Sequence, residues 1–153
     1  MKKNIARFLK YGTLLSTYGL IATVLLQIFA RFFLQNAPAW TEEASRLFFI
    51  YAISFAAGLA FKQHYFVHLD LFYEQLPSWA QRILSVLIPL LTLILFAIIA
   101  VYTIPFMMDG YGETSPSMKI RMSSVFFSLF IMGASISYFA YLATRKQLKQ
   151  QGI

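Results

Sequence analysis

The chain has 153 residues, of which 59% are hydrophobic and 12% charged, whereas a soluble domain typically carries about 25% charged residues. This composition excludes a disordered chain and argues strongly against a water-soluble globule of this size. The net charge of +7 does not point to nucleic acid, because the basic residues stand mostly at the ends of apolar runs, and the absence of cysteine excludes disulfides and thiolate chemistry.

Four apolar segments are long enough to cross a membrane, since about 20 helical residues span ~30 Å of hydrocarbon. They cover about residues 11–34, 44–61, 83–108 and 122–144. The third and fourth segments carry no charged residue. The sequence therefore predicts an all-α integral membrane protein that forms a single four-helix membrane domain over residues 1–153.

The Lys and Arg residues are distributed unequally across the predicted membrane. Nine lie on the side that holds both termini and the loop between the second and third spans, and four lie on the opposite side. Because cytoplasmic loops carry an excess of basic residues, both termini are predicted to be cytoplasmic. The 36–41 and 109–121 loops then face outward.

Small residues recur at four-residue spacing in the second and fourth spans, as in Ser54/Gly58 and Gly133/Ser137. Such faces allow helices to pack closely in lipid. We interpret them as packing sites within one subunit rather than as an interface with a partner.

The densest polar cluster stands at the start of the second span. Glu42 and Glu43 precede Arg46 by four and three residues, so that either carboxylate can neutralise the arginine on a helix. Arg31, at the end of the first span, lies near the same membrane boundary. A network of these four charges is therefore sterically plausible.

The four charges allow two interpretations, a transport or proton path and a clamp between helices or subunits. A transport path normally places charges near the middle of the membrane, whereas these lie at its rim. We therefore favour the clamp, with Trp40 as an interfacial anchor. Thr41 is the predicted N-cap of the second helix, with the two glutamates in its first turn.

Residues 65–76 mix large apolar side chains with acidic ones, which predicts a short amphipathic helix in the cytoplasmic interface. Together with the basic tail of Arg145, Lys146 and Lys149, this helix is expected to lie on anionic membrane phospholipids. The following Ser78-Trp79-Ala80-Gln81 has the pattern of a capping box that opens the third span.

His64 and His68 have a spacing that would suit a metal site on a helix, and Asp70 and Glu74 could complete it. We favour a structural role at the level of the lipid headgroups, because no committed metal-binding spacing such as H-E-x-x-H is present. No histidine lies within a span to bind haem, and neither a G-x-S-x-G elbow nor a phosphate-binding glycine loop occurs. The sequence thus predicts no enzyme and no cofactor.

Three ordered patterns resemble the small membrane subunit (DctQ-like, Q-type) of tripartite ATP-independent periplasmic, or TRAP, transporters, and the similarity covers most of the chain. The patterns are Arg31-Phe32-Phe33 followed by Trp40-Thr41-Glu42-Glu43 and Arg46, then Lys62-Gln63-His64-Tyr65-Phe66-Val67-His68-Leu69-Asp70-Leu71, and last Gly112-Glu113-Thr114-Ser115-Pro116-Ser117-Met118-Lys119-Ile120. Arg121 departs from the family pattern, in which we expect a proline.

The resemblance implies a scaffold subunit of a sodium-driven importer in the bacterial inner membrane. A periplasmic binding protein would capture an organic acid such as a C4-dicarboxylate or a sialic acid. A large membrane subunit, expected as a separate polypeptide, would hold the substrate and sodium sites. The site residues are then the clamp (Arg31, Trp40, Glu42, Glu43, Arg46), the interfacial loop (His64, His68, Asp70) and the outer loop (Gly112, Ser115, Pro116).

The competing interpretation is a membrane protein that acts alone. It would be either a small self-assembling transporter or a membrane-embedded metal or redox module that uses His64 and His68.

Overall fold

The computed structural model describes residues 2–33, 38–62 and 77–150, and this part of the chain forms four helices. They are α1 (Lys2–Phe33), α2 (Ala39–Lys62), α3 (Ser78–Asp109) and α4 (Met122–Gln150). All four are long and apolar enough to cross a membrane. Extended pairing in the described part is limited to an isolated antiparallel bridge between Thr114 and Arg121. The prediction of an all-α chain with four membrane-crossing helices is confirmed.

The helices extend beyond the predicted spans, most of all at the start of α1. This helix begins at Lys2 instead of residue 11, and its 32 residues make it ~48 Å long at 1.5 Å per residue. Since the hydrocarbon layer is ~30 Å thick, the first turns of α1 reach the headgroup level. Helix α3 runs continuously through Pro89 and Pro105.

Both predicted helix caps are wrong. Helix α2 begins at Ala39, and the Thr41 hydroxyl donates to the carbonyl of Pro38 at 2.8 Å instead of accepting from the first turn. Helix α3 has Pro77 as its N-cap residue, with no side-chain cap hydrogen bond, so Ser78 is already helical. In both cases the residue directly before the helix is a proline, Pro38 or Pro77, and each helix begins at the residue that follows it.

The helices lie in the order α1, α2, α4, α3. Helix α2 packs against α1 on one side and α4 on the other, and α4 packs in turn against α3. In the described part of the chain α1 and α3 share no packing interface, because they stand at opposite ends of this row. An open row buries little of each helix, and large apolar side chains of α1 and α3 are exposed along their length.

Ring and glycine contacts fix the direction of neighbouring helices. The Phe55 ring lies against Gly12 and the Phe48 ring against Gly19, so α1 and α2 are antiparallel. Along α2 and α4, Tyr51 bonds to Ser124 and a later pair of residues, Gly58 and Ser135, are in contact, so these two helices are parallel. The antiparallel α3 and α4 meet at the Phe106 and Phe126 rings, 5.9 Å apart.

Two of the small-residue positions are sites of close helix approach within the chain. A β-carbon built on Gly58 would lie 2.5 Å from Ser135 Oγ and 2.7 Å from Ser135 Cβ. A β-carbon on Gly133 would lie 3.1 Å from the Phe96 carbonyl oxygen of α3. In lipid such close packing is a principal source of helix association, because the hydrophobic effect does not act between helices there.

The hydroxyl groups inside the helices are satisfied locally. Those of Thr13, Thr23, Thr92, Thr103, Ser128, Ser135, Ser137 and Thr144 each donate to a carbonyl three or four residues earlier. Throughout the described residues, no buried side-chain polar atom lacks a hydrogen-bond partner. This satisfies the requirement that polar groups in hydrocarbon be bonded internally. The predicted amphipathic helix of residues 65–76 lies outside the described residues, and the cytoplasmic orientation of the termini stays a prediction.

Candidate functional site at the loop end of the helix row

We call the end of the row where α2 and α4 begin the loop end, and the opposite end, where α1 begins, the terminal end. At the Gly58–Ser135 contact, Gly58 is 19 residues beyond Ala39 whereas Ser135 is 13 residues beyond Met122. Because the two helices are parallel, α2 starts about six residues, or ~9 Å, outside the start of α4. The first turns of α2 therefore stand beside the loop that joins α3 to α4.

We call that loop, residues 110–121, the outer segment, and backbone hydrogen bonds define its shape. Gly110 closes α3 with its N–H bonded to the Phe106 carbonyl at 2.9 Å. The N–H of Ser115 bonds to the carbonyl of Ile120 at 2.8 Å, which closes a short turn. Lys119 completes this turn with a φ of 53°, a left-handed conformation that is uncommon for a residue with a side chain.

Glu43 binds this turn with both carboxylate oxygens. Its Oε1 accepts from the backbone N–H of Ser117 at 3.0 Å, and its Oε2 accepts from the N–H of Met118 at 2.8 Å. The hydroxyl of Ser115 also donates to Oε2. Hydrogen bonds to an ionised carboxylate are stronger than neutral ones. A single side chain of α2 thus fastens the loop that joins α3 to α4.

The other predicted clamp residues are placed differently. Arg46 pairs with Glu42 at 3.5 Å, and both side chains are largely exposed, at 70% and 65%. Arg31 is exposed, and the described residues include no ion-pair partner for it. The four predicted charges therefore separate into an exposed pair, a carboxylate bound to the outer segment, and an arginine that stands apart.

The remaining predicted site residues divide between the loop end and the part of the chain that is not described. Trp40 is exposed in the first turn of α2, and Gly112 and Pro116 are exposed in the outer segment. The interfacial residues His64, His68 and Asp70 lie outside the described residues.

Sequence reasoning missed the contact between Glu43 and Ser115, although both were site candidates. It also missed Ser117 and Met118, since backbone N–H groups leave no trace in residue type. In the sequence, the signal that could have pointed to the outer segment was Arg121, which stands where the family pattern has a proline. The Arg121 guanidinium lies 3.9 Å from the centre of the Tyr111 ring, a cation–π contact that holds the two ends of the segment together.

A second hydrogen bond joins α2 to α4 further along the helices. The Tyr51 hydroxyl donates to the Ser124 carbonyl at 2.7 Å. Carbonyls in the body of a helix are already bonded, so this one accepts a second donor on its remaining lone pair. Together with Glu43, Tyr51 holds α2 in register with the loop end of α4.

At the loop end, the side chains of Glu43 and Tyr51 therefore hold separate segments of the chain together. Over residues 2–33, 38–62 and 77–150 the structure contains no group of three His, Cys, Asp or Glu residues able to bind a metal ion. The arrangement at the loop end fastens backbone and helices, with the Ser115 hydroxyl donating to the Glu43 carboxylate.

Comparisons with known proteins found similar sequences among components of membrane transporters. The family model for the DctQ component of tripartite ATP-independent periplasmic transporters matches residues 20–150. A TRAP transporter small permease protein of Haemophilus influenzae is 28% identical over 148 residues, which cover 97% of this chain and 90% of that protein. The sialic acid TRAP transporter small permease protein SiaQ of Vibrio cholerae is 29% identical over 123 residues, which cover 80% of this chain and 63% of SiaQ.

Proposed function

The chain belongs to the DctQ component family of the tripartite ATP-independent periplasmic transporters, and from this premise we propose that it is the non-catalytic scaffold subunit of a sodium-driven importer of an organic acid. The match to the family model confirms the family resemblance predicted from the sequence. The chain is a multi-pass protein of the inner membrane, and the family implies a tripartite system with a large membrane subunit and a binding protein.

In the proposed transporter, a periplasmic binding protein delivers an organic acid such as a C4-dicarboxylate or a sialic acid, and the large subunit binds the acid and sodium. This chain holds the fixed frame beside the large subunit. One relative is named as part of a sialic acid transporter, which supports the solute class.

The observation that carries the scaffold role is the use of polar side chains at the loop end. Glu43 and Tyr51 fix α2 against the outer segment and α4, whereas the eight Ser and Thr hydroxyls named above are bonded to the backbone of their own helix. A moving transport path needs polar groups that can exchange partners with solute or ions. A fixed frame needs polar groups that keep their partners, and the hydrogen bonds of Glu43 and Tyr51 support this role.

Reconstitution tests this role directly. Vesicles containing the large subunit, with binding protein outside and an inward sodium gradient, are compared with and without this chain, using radiolabelled succinate and N-acetylneuraminate as probes. We expect uptake of one probe with all three proteins, background uptake when this chain is omitted, and none with this chain alone. Solute entry through this chain alone would overturn the scaffold role, as would full uptake in its absence.

A second prediction concerns Arg46 in the proposed clamp. Exposed ion pairs at this spacing contribute only about 0.3–0.5 kcal/mol, so Arg46→Ala should leave the thermal unfolding of the isolated chain nearly unchanged. If Arg46 contacts the large subunit, the same variant should lower the co-purification of that subunit several-fold. Arg145→Ala serves as the control, because Arg145 is exposed and lies near the C-terminal end of α4, away from the loop end. Unchanged co-purification of Arg46→Ala would remove Arg46 from the clamp.

A further inference from the structure

A groove opens between α1 and α2 at the terminal end, away from the Glu43 contact. Its volume is about 480 Å³, and four of its seven lining residues are basic, with α1 contributing Lys3, Arg7 and Lys10 and α2 contributing Lys62. The three α1 residues follow one another at spacings of four and three, which places them on one helix face. Four cations therefore line the same groove.

Like charges on one face repel each other and need a counter-charge. The carboxylates of the described residues belong to Glu42, Glu43, Asp109 and Glu113. All four stand at the loop end, at the opposite end of the helices from the groove. The described part of the chain therefore supplies no acidic side chain to the groove, and the other two carboxylates, Asp70 and Glu74, lie outside the described residues. The lining is thus a cationic surface that attracts an anion.

The position of the groove indicates which anion this is. The stretch from Tyr11 to Phe33 is ~35 Å long at 1.5 Å per residue, enough to cross the hydrocarbon layer. Lys10 and the basic residues before it then lie at the level of the lipid headgroups. Leu59 and Tyr11 also line the groove, so it offers apolar contact next to its positive charge. An anionic phospholipid combines both properties.

We propose that this groove binds the phosphate of an anionic phospholipid, with the cationic side chains on the headgroup and the apolar lining against the start of an acyl chain. Basic pockets between membrane helices bind such headgroups through charge-assisted contacts. The bound lipid neutralises the repulsion between the two helix ends and joins α1 to α2 beside the buried cluster that Ala6 and Leu9 of α1 form with Phe139 of α4.

The test uses the full-length chain in a neutral detergent at fixed concentration and phosphatidylglycerol with a fluorescent label on one acyl chain. Binding is followed by fluorescence anisotropy, with unlabelled phosphatidylglycerol, phosphatidylcholine and sodium phosphate as competitors. The variant is Arg7→Gln/Lys10→Gln. The matched control is Arg31→Gln/Lys119→Gln, which removes the same charge from exposed residues at the loop end that do not line the groove. Circular dichroism and gel filtration confirm that both variants are folded.

We expect the groove variant to bind phosphatidylglycerol about 25-fold more weakly, since each basic residue near an anionic lipid contributes roughly a fivefold gain in affinity. The control should stay near the affinity of the unaltered chain, and Arg7→Lys/Lys10→Arg should retain binding. Equal losses in the groove variant and its control would indicate diffuse attraction and overturn the site. Equal competition by phosphatidylcholine would exclude selection for an anion. Displacement by millimolar sodium phosphate would indicate a site for a small anion instead of a lipid.

Discussion

Replacing Glu43 by alanine releases the outer segment from the N-terminal part of α2. The carboxylate is the acceptor for the N–H groups of Ser117 and Met118 and for the Ser115 hydroxyl, so its removal leaves three donors without their partner. Hydrogen–deuterium exchange measures the result. We expect the amides of Ser117 and Met118 to exchange roughly tenfold faster or more, because local opening no longer breaks charge-assisted bonds.

The neighbouring carboxylate provides a matched control for this experiment. Glu42 carries the same charge one residue earlier, but its partner is Arg46 and not the outer segment. Glu42→Ala should therefore leave exchange at Ser117 and Met118 unchanged. Glu43→Gln should give an intermediate result, since the amide keeps one acceptor oxygen and loses the charge. If the alanine variants at both positions accelerate exchange equally, the effect comes from charge at the helix end, and the specific contact is refuted.

Substituting alanine for Gly58 separates α2 from α4. The added β-carbon would lie 2.7 Å from Ser135 Cβ, an atom fixed to the backbone, so rotation of the serine hydroxyl cannot relieve the clash. Overpacking of this kind costs about 1–3 kcal/mol. Unfolding of the detergent-solubilised chain, followed by circular dichroism against denaturant, should show a loss of stability in this range.

A compensating change makes the Gly58 prediction specific. Gly58→Ala combined with Ser135→Gly removes both serine atoms that the new β-carbon would meet, leaving Leu9 Cδ1 at 3.1 Å, the movable end of a side chain. The double variant should be more stable than the sum of the two single changes predicts, which is the signature of residues in contact. Ala134→Val, at an exposed position next to Ser135, is the steric control. Additive effects in the double variant would contradict the contact.

The two predictions are linked by the offset between α2 and α4. The Gly58–Ser135 contact sets how far α2 extends past the start of α4, and that extension brings Glu43 beside the outer segment. A change at Gly58 that shifts α2 along α4 should therefore also raise amide exchange at Ser117 and Met118. Amide exchange at Ser117 and Met118 therefore reports on the Gly58–Ser135 contact as well as on the contact between Glu43 and the outer segment.

The sequence by itself determined the membrane class, the four crossing helices and the family. These properties depend on the length of apolar runs and on residues close together in the chain, and they do not require knowledge of which helices meet. The i,i+4 pair of Glu42 and Arg46 is local in the same way, since helical spacing alone brings the two side chains together.

The tertiary structure decided the order of the helices and the partner of Glu43. From spacing alone, Glu42 and Glu43 were equivalent partners for Arg46, and only the extension of α2 beyond α4 separates them, giving one an arginine and the other a loop more than 70 residues away in sequence. That extension follows from close contact at small residues, whose positions the sequence shows but whose partners on another helix it does not. Contacts between distant segments depend on how whole helices pack, and residue pattern along one helix does not specify this.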